Sequence, residues 1–241
     1  MKNIDTEYDY IIVGAGSAGC VLANRLSKNP KNSVLLLEAG REDKSITLKM
    51  PGAVLLNLKS TKHNWAFKGE PEPELAGRQL QHDRGKTLGG SSSINGMVFI
   101  RGNSLDYEGW RQMGCDGWGY ADVLPYFKKM ESYSGGGDDF RGDSGPLRVH
   151  RSVPKDPLSI AFIKAGKEAG YKETDDISGY CQEGFGIFDR TVFKGERWST
   201  TRGYLDPVRG RENLTIITKA LVCKLNLKNN KTTGVCFKDN K

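Results

Sequence analysis

The chain has 241 residues, of which 37% are hydrophobic and 27% charged, with a formal net charge of +7. This length and composition indicate one sizeable globular domain with room for a small second lobe, and they exclude a wholly disordered protein. The apolar runs are far shorter than the roughly 20 residues that a transmembrane helix needs. Glycine is unusually frequent, with 30 residues.

The net positive charge lies near the end of the sequence. Residues 1–190 hold 25 basic and 25 acidic residues, whereas residues 191–241 hold 11 basic and 4 acidic ones. The basic residues are spaced singly through apolar segments and are not interleaved with aromatic side chains, so we expect a solvated face and no nucleic-acid partner. Contact with acidic protein outside the chain is the other interpretation.

The cysteines and the N-terminal segment indicate the cellular compartment in which the protein is expected. The five cysteines form no close pair in the sequence and make an odd count, which favours free thiols in a reducing compartment over disulfides or a zinc site. The N-terminal segment has no apolar stretch of signal-peptide length. We therefore expect a cytoplasmic protein, with peripheral membrane association left open, and no metal.

The first forty residues predict a strand, a helix and a second strand. Residues 8–13 form a short apolar run, residues 17–28 carry Ala18, Leu22 and Leu26 at helical spacing, and residues 33–38 form a second apolar run. Strand, helix and strand within about thirty residues form a βαβ unit with parallel strands. The sequence therefore predicts an α/β fold built on a parallel sheet.

The later elements are less regular. Prolines predict an irregular segment over residues 51–84. A helix is predicted over 157–170 and a strand over 185–193. Three short β runs follow at 214–218, 221–227 and 233–237, and the polar segment 228–231 predicts a hairpin turn between the last two.

A glycine fingerprint links the first strand to the first helix. The sequence from Gly14 to Gly19, GAGSAG, fits G-x-G-x-x-G, and Glu38 ends the second strand. In this context Gly14 permits a tight turn, Gly16 lets a pyrophosphate approach the backbone, and Gly19 allows the helix to pack closely on the strand. A carboxylate at 38 suits a ribose diol, which indicates an adenine dinucleotide and disfavours NADP. The unit itself leaves FAD and NAD both open.

A second glycine cluster spans residues 85–102, with the sequence GKTLGGSSSINGMVFIRG. It resembles the first signature of the glucose-methanol-choline (GMC) oxidoreductases. Trp65, Arg78 and Trp110 fit the segments on either side of that signature, and Arg197 and Ser199 follow in the order of the family. The branch most similar to the chain is that of the choline dehydrogenases.

The resemblance implies FAD as the cofactor and assigns contacts to two groups of residues. The pyrophosphate and ribose are assigned to Gly14, Gly16, Ser17, Ala18, Gly19, Glu38 and Ala39. The flavin, its ribityl chain and the adenine are assigned to Arg84, Leu88, Gly89, Gly90, Ser91, Asn95, Gly96, Met97, Val98 and Val222. The position of the histidine that binds flavin covalently in some relatives aligns with Ile94, so a non-covalent flavin is expected.

The resemblance also implies a domain division and an activity. Residues 1–157 and 196–241 are expected to belong to a Rossmann-type FAD-binding domain, interrupted by an incomplete substrate lobe at 158–195. The implied reaction is oxidation of a primary alcohol, such as a choline-like substrate, to an aldehyde by hydride transfer to flavin N5. The electron acceptor, oxygen or another carrier, stays open.

No catalytic residue is predicted within the chain. In the family the base is a histidine far along the C-terminal half, and His63, His82 and His150 do not match its position. We therefore expect the 241 residues to be catalytically incomplete, with a C-terminal half or a complementing chain supplying the base. The alternatives are a truncated, non-catalytic FAD-binding fragment and an NAD-binding dehydrogenase domain.

Overall fold

The computed structural model describes residues 7–239. The strands are β1 (Tyr10–Val13), β2 (Val34–Glu38), β3 (Phe67–Glu72), β4 (Arg78–His82), β5 (Val98–Phe99), β6 (Glu131–Tyr133), β7 (Leu147–Val149), β8 (Asp189–Arg190), β9 (Val192–Phe193), β10 (Glu196–Arg197), β11 (Leu214–Thr218), β12 (Ala220–Lys228) and β13 (Lys231–Asp239). The α-helices are α1 (Ser17–Leu26), α2 (Ile46–Lys49), α3 (Val54–Leu58), α4 (Ser104–Gln112), α5 (Tyr120–Met130) and α6 (Pro157–Glu168).

The chain divides into two compact units. The first contains the residues up to Gly96 and those from Gly195 onward, and the second contains Met97–Lys194. The assignment of residues 1–157 and 196–241 to cofactor binding, and of 158–195 to a substrate lobe, concerns function and stays a prediction.

A parallel sheet in the order β1-β2-β11 forms the centre of the first unit. Ile12 of β1 and Ile216 of β11 are both in register with Leu36 of β2. Every residue of β2 is buried, as its unbroken apolar sequence VLLL predicts for a parallel strand covered on both faces. The predicted βαβ unit is confirmed.

Alternate side chains of β2 enter two different cores. Val34 and Leu36 belong to a cluster that also contains residues of α1 and of the π-helical turn Thr201–Leu205. Leu35 and Leu37 pack on the other face with Ala220 and with residues of the β12–β13 hairpin. Because side chains alternate between the two faces of a strand, β2 packs on the helical layer with one face and on the hairpin with the other.

The two hairpins of the first unit differ in how well the sequence predicts them. The predicted turn between β12 and β13 is confirmed, with Asn229 and Asn230 both in left-handed conformation at φ of 50° and 59°. The prediction of an irregular segment over 51–84 is wrong in part, because it contains α3 and the antiparallel pair β3–β4. A register shift between Lys68 and Pro71 accommodates the proline in this exposed pair.

The second unit contains three helices and short strand pairs. Asn103 caps α4 in a capping box with Asp106, and Asp156 caps α6, where Pro157 occupies the first turn. The helix α6 was predicted from the sequence, whereas α4 and α5 were not. The predicted strand at 185–193 is wrong in its length, because the backbone of Phe185 pairs with Lys172 and Thr174 whereas β8 pairs with β5.

A cluster of buried charges lies within the second unit. The Arg141 guanidinium donates to Glu131 at 3.1 Å, to Asp176 at 2.6 Å and to Asp189 at 3.0 Å, and its carbon lies 3.7 Å from the ring centroid of Tyr133. Arg101 forms a second ion pair with Glu131. Arg141, Glu131 and Asp189 have no exposed surface.

Over residues 7–239, no helix has both the length and the apolar composition needed to cross a membrane.

Candidate functional site: a dinucleotide pocket in the first unit

The turn between β1 and α1 is compact because of its glycines. Gly14 has a φ of +92°, and its N–H donates to the carbonyl of Leu37 at 2.7 Å, which fixes the turn to the end of β2. A Cβ on Gly19 would lie 1.9 Å from the Gly14 carbonyl oxygen, so only glycine allows this approach. The helix therefore begins directly against the turn.

The N-terminus of α1 can accept an anion. Its N-cap is Gly16, which has no capping side chain, and the first turn contains no acidic residue. A Cβ on Gly16 would meet no atom within 4 Å. Free amides at the positive end of a ten-residue helix, next to open space, suit a phosphate group.

The second glycine cluster packs directly on the first. The Gly89 N–H donates to the Ala15 carbonyl at 2.7 Å. Gly90 has a φ of +54°, and a Cβ on it would lie 2.7 Å from the Gly16 Cα. The contacting residues of the two glycine segments are 74 positions apart in the sequence, and the segments form adjacent walls of one site.

Glu38 holds the glycine turn in place. Its two carboxylate oxygens accept hydrogen bonds from the Ala15 N–H at 2.8 Å and the Gly40 N–H at 2.7 Å. Burial raises the pKa of Glu38, and the two backbone donors and the Lys86 charge oppose that rise. Each oxygen keeps a second lone pair, so the carboxylate can still accept from a ligand hydroxyl.

These elements enclose a pocket of about 480 Å³ at the carboxyl ends of β1 and β2. In open α/β sheets this edge is where ligands bind. The pocket is lined by Val13, Gly14, Gly16, Ser17, Leu37, Glu38, Ala39, Trp65, Arg84, Gly85, Gly90, Ser91, Ala220 and Leu221.

Eight of the residues assigned to the cofactor from the sequence line this pocket. They are Gly14, Gly16, Ser17, Glu38, Ala39, Arg84, Gly90 and Ser91. Ala18, Gly19, Leu88, Gly89, Asn95, Gly96 and Val222 belong to the same unit without lining the pocket.

Several residues that were assigned to the cofactor do not line the pocket and lie in other parts of the structure. Leu88 is fully buried in the core beside α1, and Val222 packs in the opposite core. Asn95 accepts a hydrogen bond from the Arg197 guanidinium. Met97 and Val98 lie in the second unit, where Val98 is part of β5. Their assignment to the flavin stays a prediction.

Six lining residues were not assigned to the cofactor from the sequence: Val13, Leu37, Trp65, Gly85, Ala220 and Leu221. Val13 is the last residue of β1 and Leu37 the last but one of β2, so the rule that ligands bind at the carboxyl edge could have found them. Trp65 stacks on Phe67 with ring centroids 5.5 Å apart, and the Lys86 ammonium lies 4.3 Å from its ring centroid. No local pattern distinguishes Ala220 and Leu221, because only the position of β12 brings them to the pocket.

The three histidines do not belong to the pocket wall. His63 is half-buried, and burial together with the charges of Arg41 and Lys62 lowers its pKa. His82 ends β4, and His150 pairs with Arg190 through its backbone. None of the three is among the residues that line the pocket.

Comparison with known proteins identifies relatives of this arrangement. The family model of the GMC oxidoreductases matches residues 8–241. An oxygen-dependent choline dehydrogenase of Sinorhizobium fredii (strain NBRC 101917 / NGR234) is 48% identical over 227 residues, which cover 94% of this chain and 41% of the relative.

Solved structures of similar fold extend the comparison. A pyridoxine 4-oxidase from Mesorbium loti has a TM-score of 0.90 at 33% identity, covering 96% of this chain and 47% of the other. An FAD-dependent oxidoreductase from Chaetomium thermophilum has a TM-score of 0.88 at 28% identity, covering 97% and 42%. The chain spans about two fifths of the length of the curated relatives that it matches. With the family model covering almost its whole length, the chain belongs to the GMC oxidoreductase family.

Proposed function

We propose that the first unit binds FAD non-covalently and forms the cofactor-binding part of a GMC-type alcohol oxidoreductase. The observation that carries this proposal is the close packing of the two glycine segments, Gly90 against Gly16, in the wall of the pocket. A turn that binds only an ADP group does not require the second segment. Membership of the GMC oxidoreductase family independently supports FAD as the cofactor.

The lining residues suggest how the cofactor would be held. Gly16 and Ser17 offer backbone amides at the N-terminus of α1 to the pyrophosphate, whereas the Gly14 N–H is already bonded to the Leu37 carbonyl and holds the turn. Glu38 offers its remaining lone pairs to the ribose hydroxyls. Ser91 lies at the wall formed by the second glycine segment, on the side where we expect the ribityl chain. Bound FAD would supply the acceptor for a hydride from the substrate carbon.

The residue at position 94 supports the proposal of non-covalent binding. Ile94 is only 2% exposed and is chemically inert, so it cannot form a bond to the flavin ring. We expect flavin to be released into the supernatant when the loaded protein is precipitated with acid. A yellow pellet that resists washing would contradict this part of the proposal.

The proposed substrate is a primary alcohol, choline-like in character, and the product an aldehyde. The relatives named as choline dehydrogenases support this class. A general base must reach the substrate hydroxyl, and no histidine lines the pocket. We propose that residues outside this chain supply the base, and we leave the electron acceptor open.

The compartment is proposed to be reducing, as in the cytoplasm. All five cysteines are unpaired: Cys20, Cys115, Cys181, Cys223 and Cys236. Three of them are exposed, which would favour oxidation in an exported protein.

The test is a titration of the purified chain with FAD, followed by quenching of flavin fluorescence, with NAD and ADP as parallel ligands. We expect saturable binding of FAD, weaker binding of ADP, and no stabilisation by NAD. Stabilisation by NAD without FAD binding would indicate a nicotinamide-dependent enzyme and overturn the proposal. Addition of choline to the FAD-loaded chain without oxygen should leave the flavin oxidised, and bleaching would show that the base lies within these residues.

A further inference from the structure

A second pocket in the first unit shares no lining residue with the dinucleotide pocket. Its volume is about 460 Å³. Five basic and three acidic side chains line it, which leaves an excess of positive charge. The lining residues are Glu42, Asp43, Lys44, Leu48, Lys49, Ser93, Arg197, Ser199, Arg202, Asp206 and Arg209.

One arginine binds all three acidic side chains of this pocket. Arg209 donates to Glu42 at 3.0 Å, to Asp43 at 3.0 Å and to Asp206 at 2.6 Å. Arg202 pairs instead with Glu196, outside the pocket lining. All three carboxylates that line the pocket are therefore hydrogen-bonded to the Arg209 guanidinium.

Arg197 is a buried charge without a counter-ion among the described residues. It is 1% exposed, and its Nε donates to the Leu48 carbonyl at 3.1 Å. Its Nη1 donates to the Asn95 carbonyl at 2.7 Å and to the Ser92 carbonyl at 3.3 Å. Its Nη2 is buried with no hydrogen-bond partner, and burial lowers the pKa of Arg197 to about 10.

Arg141 in the second unit shows how this protein satisfies a buried guanidinium elsewhere. Arg141 has no exposed surface, and carboxylates of Glu131, Asp176 and Asp189 surround it. Arg197 is buried to the same extent with only neutral oxygens as partners. A buried charge that lacks a counter-ion is destabilising, so an anion that reaches Arg197 would be bound with a gain in stability.

Two lysines and a hydroxyl complete an anion site around Arg197. No ion pair joins Lys44 or Lys49 to a carboxylate within residues 7–239, and both side chains line the pocket. The Ser199 Oγ accepts from the Arg202 N–H at 3.4 Å, which leaves its own proton available to a ligand. Charge-assisted bonds from a guanidinium and ammonium groups are the contacts that oxyanions prefer.

We propose that this second pocket binds a small dianionic oxyanion, phosphate or a dicarboxylate, with Arg197 as its buried counter-charge and Lys49 at the pocket wall. The excess positive charge of the lining matches a ligand with two negative charges. Bound FAD should not displace this ligand, because the two pockets have no lining residue in common.

The experiment measures binding of inorganic phosphate and of succinate to the purified chain by calorimetry, at constant ionic strength set with chloride. The variants are Lys49→Gln, its matched control Lys59→Gln, and Arg197→Met. Both lysines are exposed residues of the first unit, and Lys59 does not line the pocket. We expect Lys49→Gln to weaken binding about tenfold, Lys59→Gln to leave it unchanged, and Arg197→Met to abolish it.

Each result decides the proposal or its ligand. Binding of phosphate alone, or of succinate alone, supports the site and identifies the oxyanion. The proposal is overturned if neither ion binds at millimolar concentration. It is also overturned if Lys49→Gln and Lys59→Gln bind the ion equally well, because the effect would then be one of general charge screening. Should Arg197→Met fail to fold, the lysine pair still decides. Competition between the ion and FAD would place the ion in the dinucleotide pocket and also refute the inference.

Discussion

Replacing Gly16 by alanine should weaken FAD binding strongly without harming the fold. Gly16 has a φ of −75°, which alanine adopts freely, and a new methyl group would meet no protein atom within 4 Å. Gly16 is the N-cap of α1, where glycine is preferred over alanine, so we expect the free energy of unfolding to fall by about 1 kcal/mol or less. The methyl group would stand at the pocket wall, where the pyrophosphate must approach the amides of α1.

The size of the binding loss follows from the contacts that the methyl group prevents. A hydrogen bond to a charged group contributes about 1.5–3 kcal/mol, so loss of one such bond to the pyrophosphate weakens affinity roughly 10- to 150-fold. The assay is fluorescence titration with FAD, together with thermal unfolding followed by circular dichroism. Gly210→Ala is the matched control, because a Cβ there also meets no atom within 4 Å and Gly210 lies outside the pocket lining.

Gly19→Ala should show the opposite pattern, with a damaged fold. The Cβ would lie 1.9 Å from the Gly14 carbonyl oxygen, so the helix and the turn must separate by more than 1 Å. Overpacking of this kind costs about 3 kcal/mol, which lowers the melting temperature of a chain of this size by roughly 6–12 °C. Wild-type FAD affinity in Gly16→Ala, or a wild-type melting temperature in Gly19→Ala, would refute this account of the glycine turn.

Two further predictions concern stability. Glu131→Gln should lower the free energy of unfolding by about 3–5 kcal/mol, because it leaves Arg101 and Arg141 buried without their shared carboxylate; a chemical denaturation curve that coincides with that of the wild type would contradict it. Asp9 accepts bonds from the Ser33 N–H and hydroxyl, which lower its pKa below the ordinary 3.8. Since the folded pKa is depressed, this stabilisation is present above pH 3.8 and is lost as the pH falls below it. Melting temperatures measured down this range should converge for wild type and Asp9→Asn, and parallel curves would show that Asp9 contributes no pH dependence.

Local patterns determined the part of the fold that surrounds the glycine fingerprint. The apolar runs before Gly14 and before Ala39, with a helix-spaced segment between them, predicted β1, α1 and β2 within two residues at each end. The same holds for the hairpin turn at Asn229 and Asn230, because asparagine tolerates the left-handed conformation that this turn requires. In both cases the signal lies in neighbouring residues.

Elements whose signals are weaker were missed or misjudged. The helix α4 begins at a readable cap, Asn103 with Asp106, but its sequence lacks a clear apolar face and none of its residues is buried. The β3–β4 pair is exposed along most of its length and contains a proline, so neither alternation nor composition indicates strands there. Propensity alone does not predict elements of this kind.

The sequence by itself determined the family, the βαβ unit and the residues of the first glycine turn, because these depend on short patterns with fixed spacing. Only the tertiary structure placed Gly90 against Gly16 and gave Glu38 its two backbone donors. It also left Arg197 buried without a counter-ion beside a second pocket. These features depend on which distant segments share a wall and on where a charge is removed from water, and residue spacing along a chain carries neither kind of information.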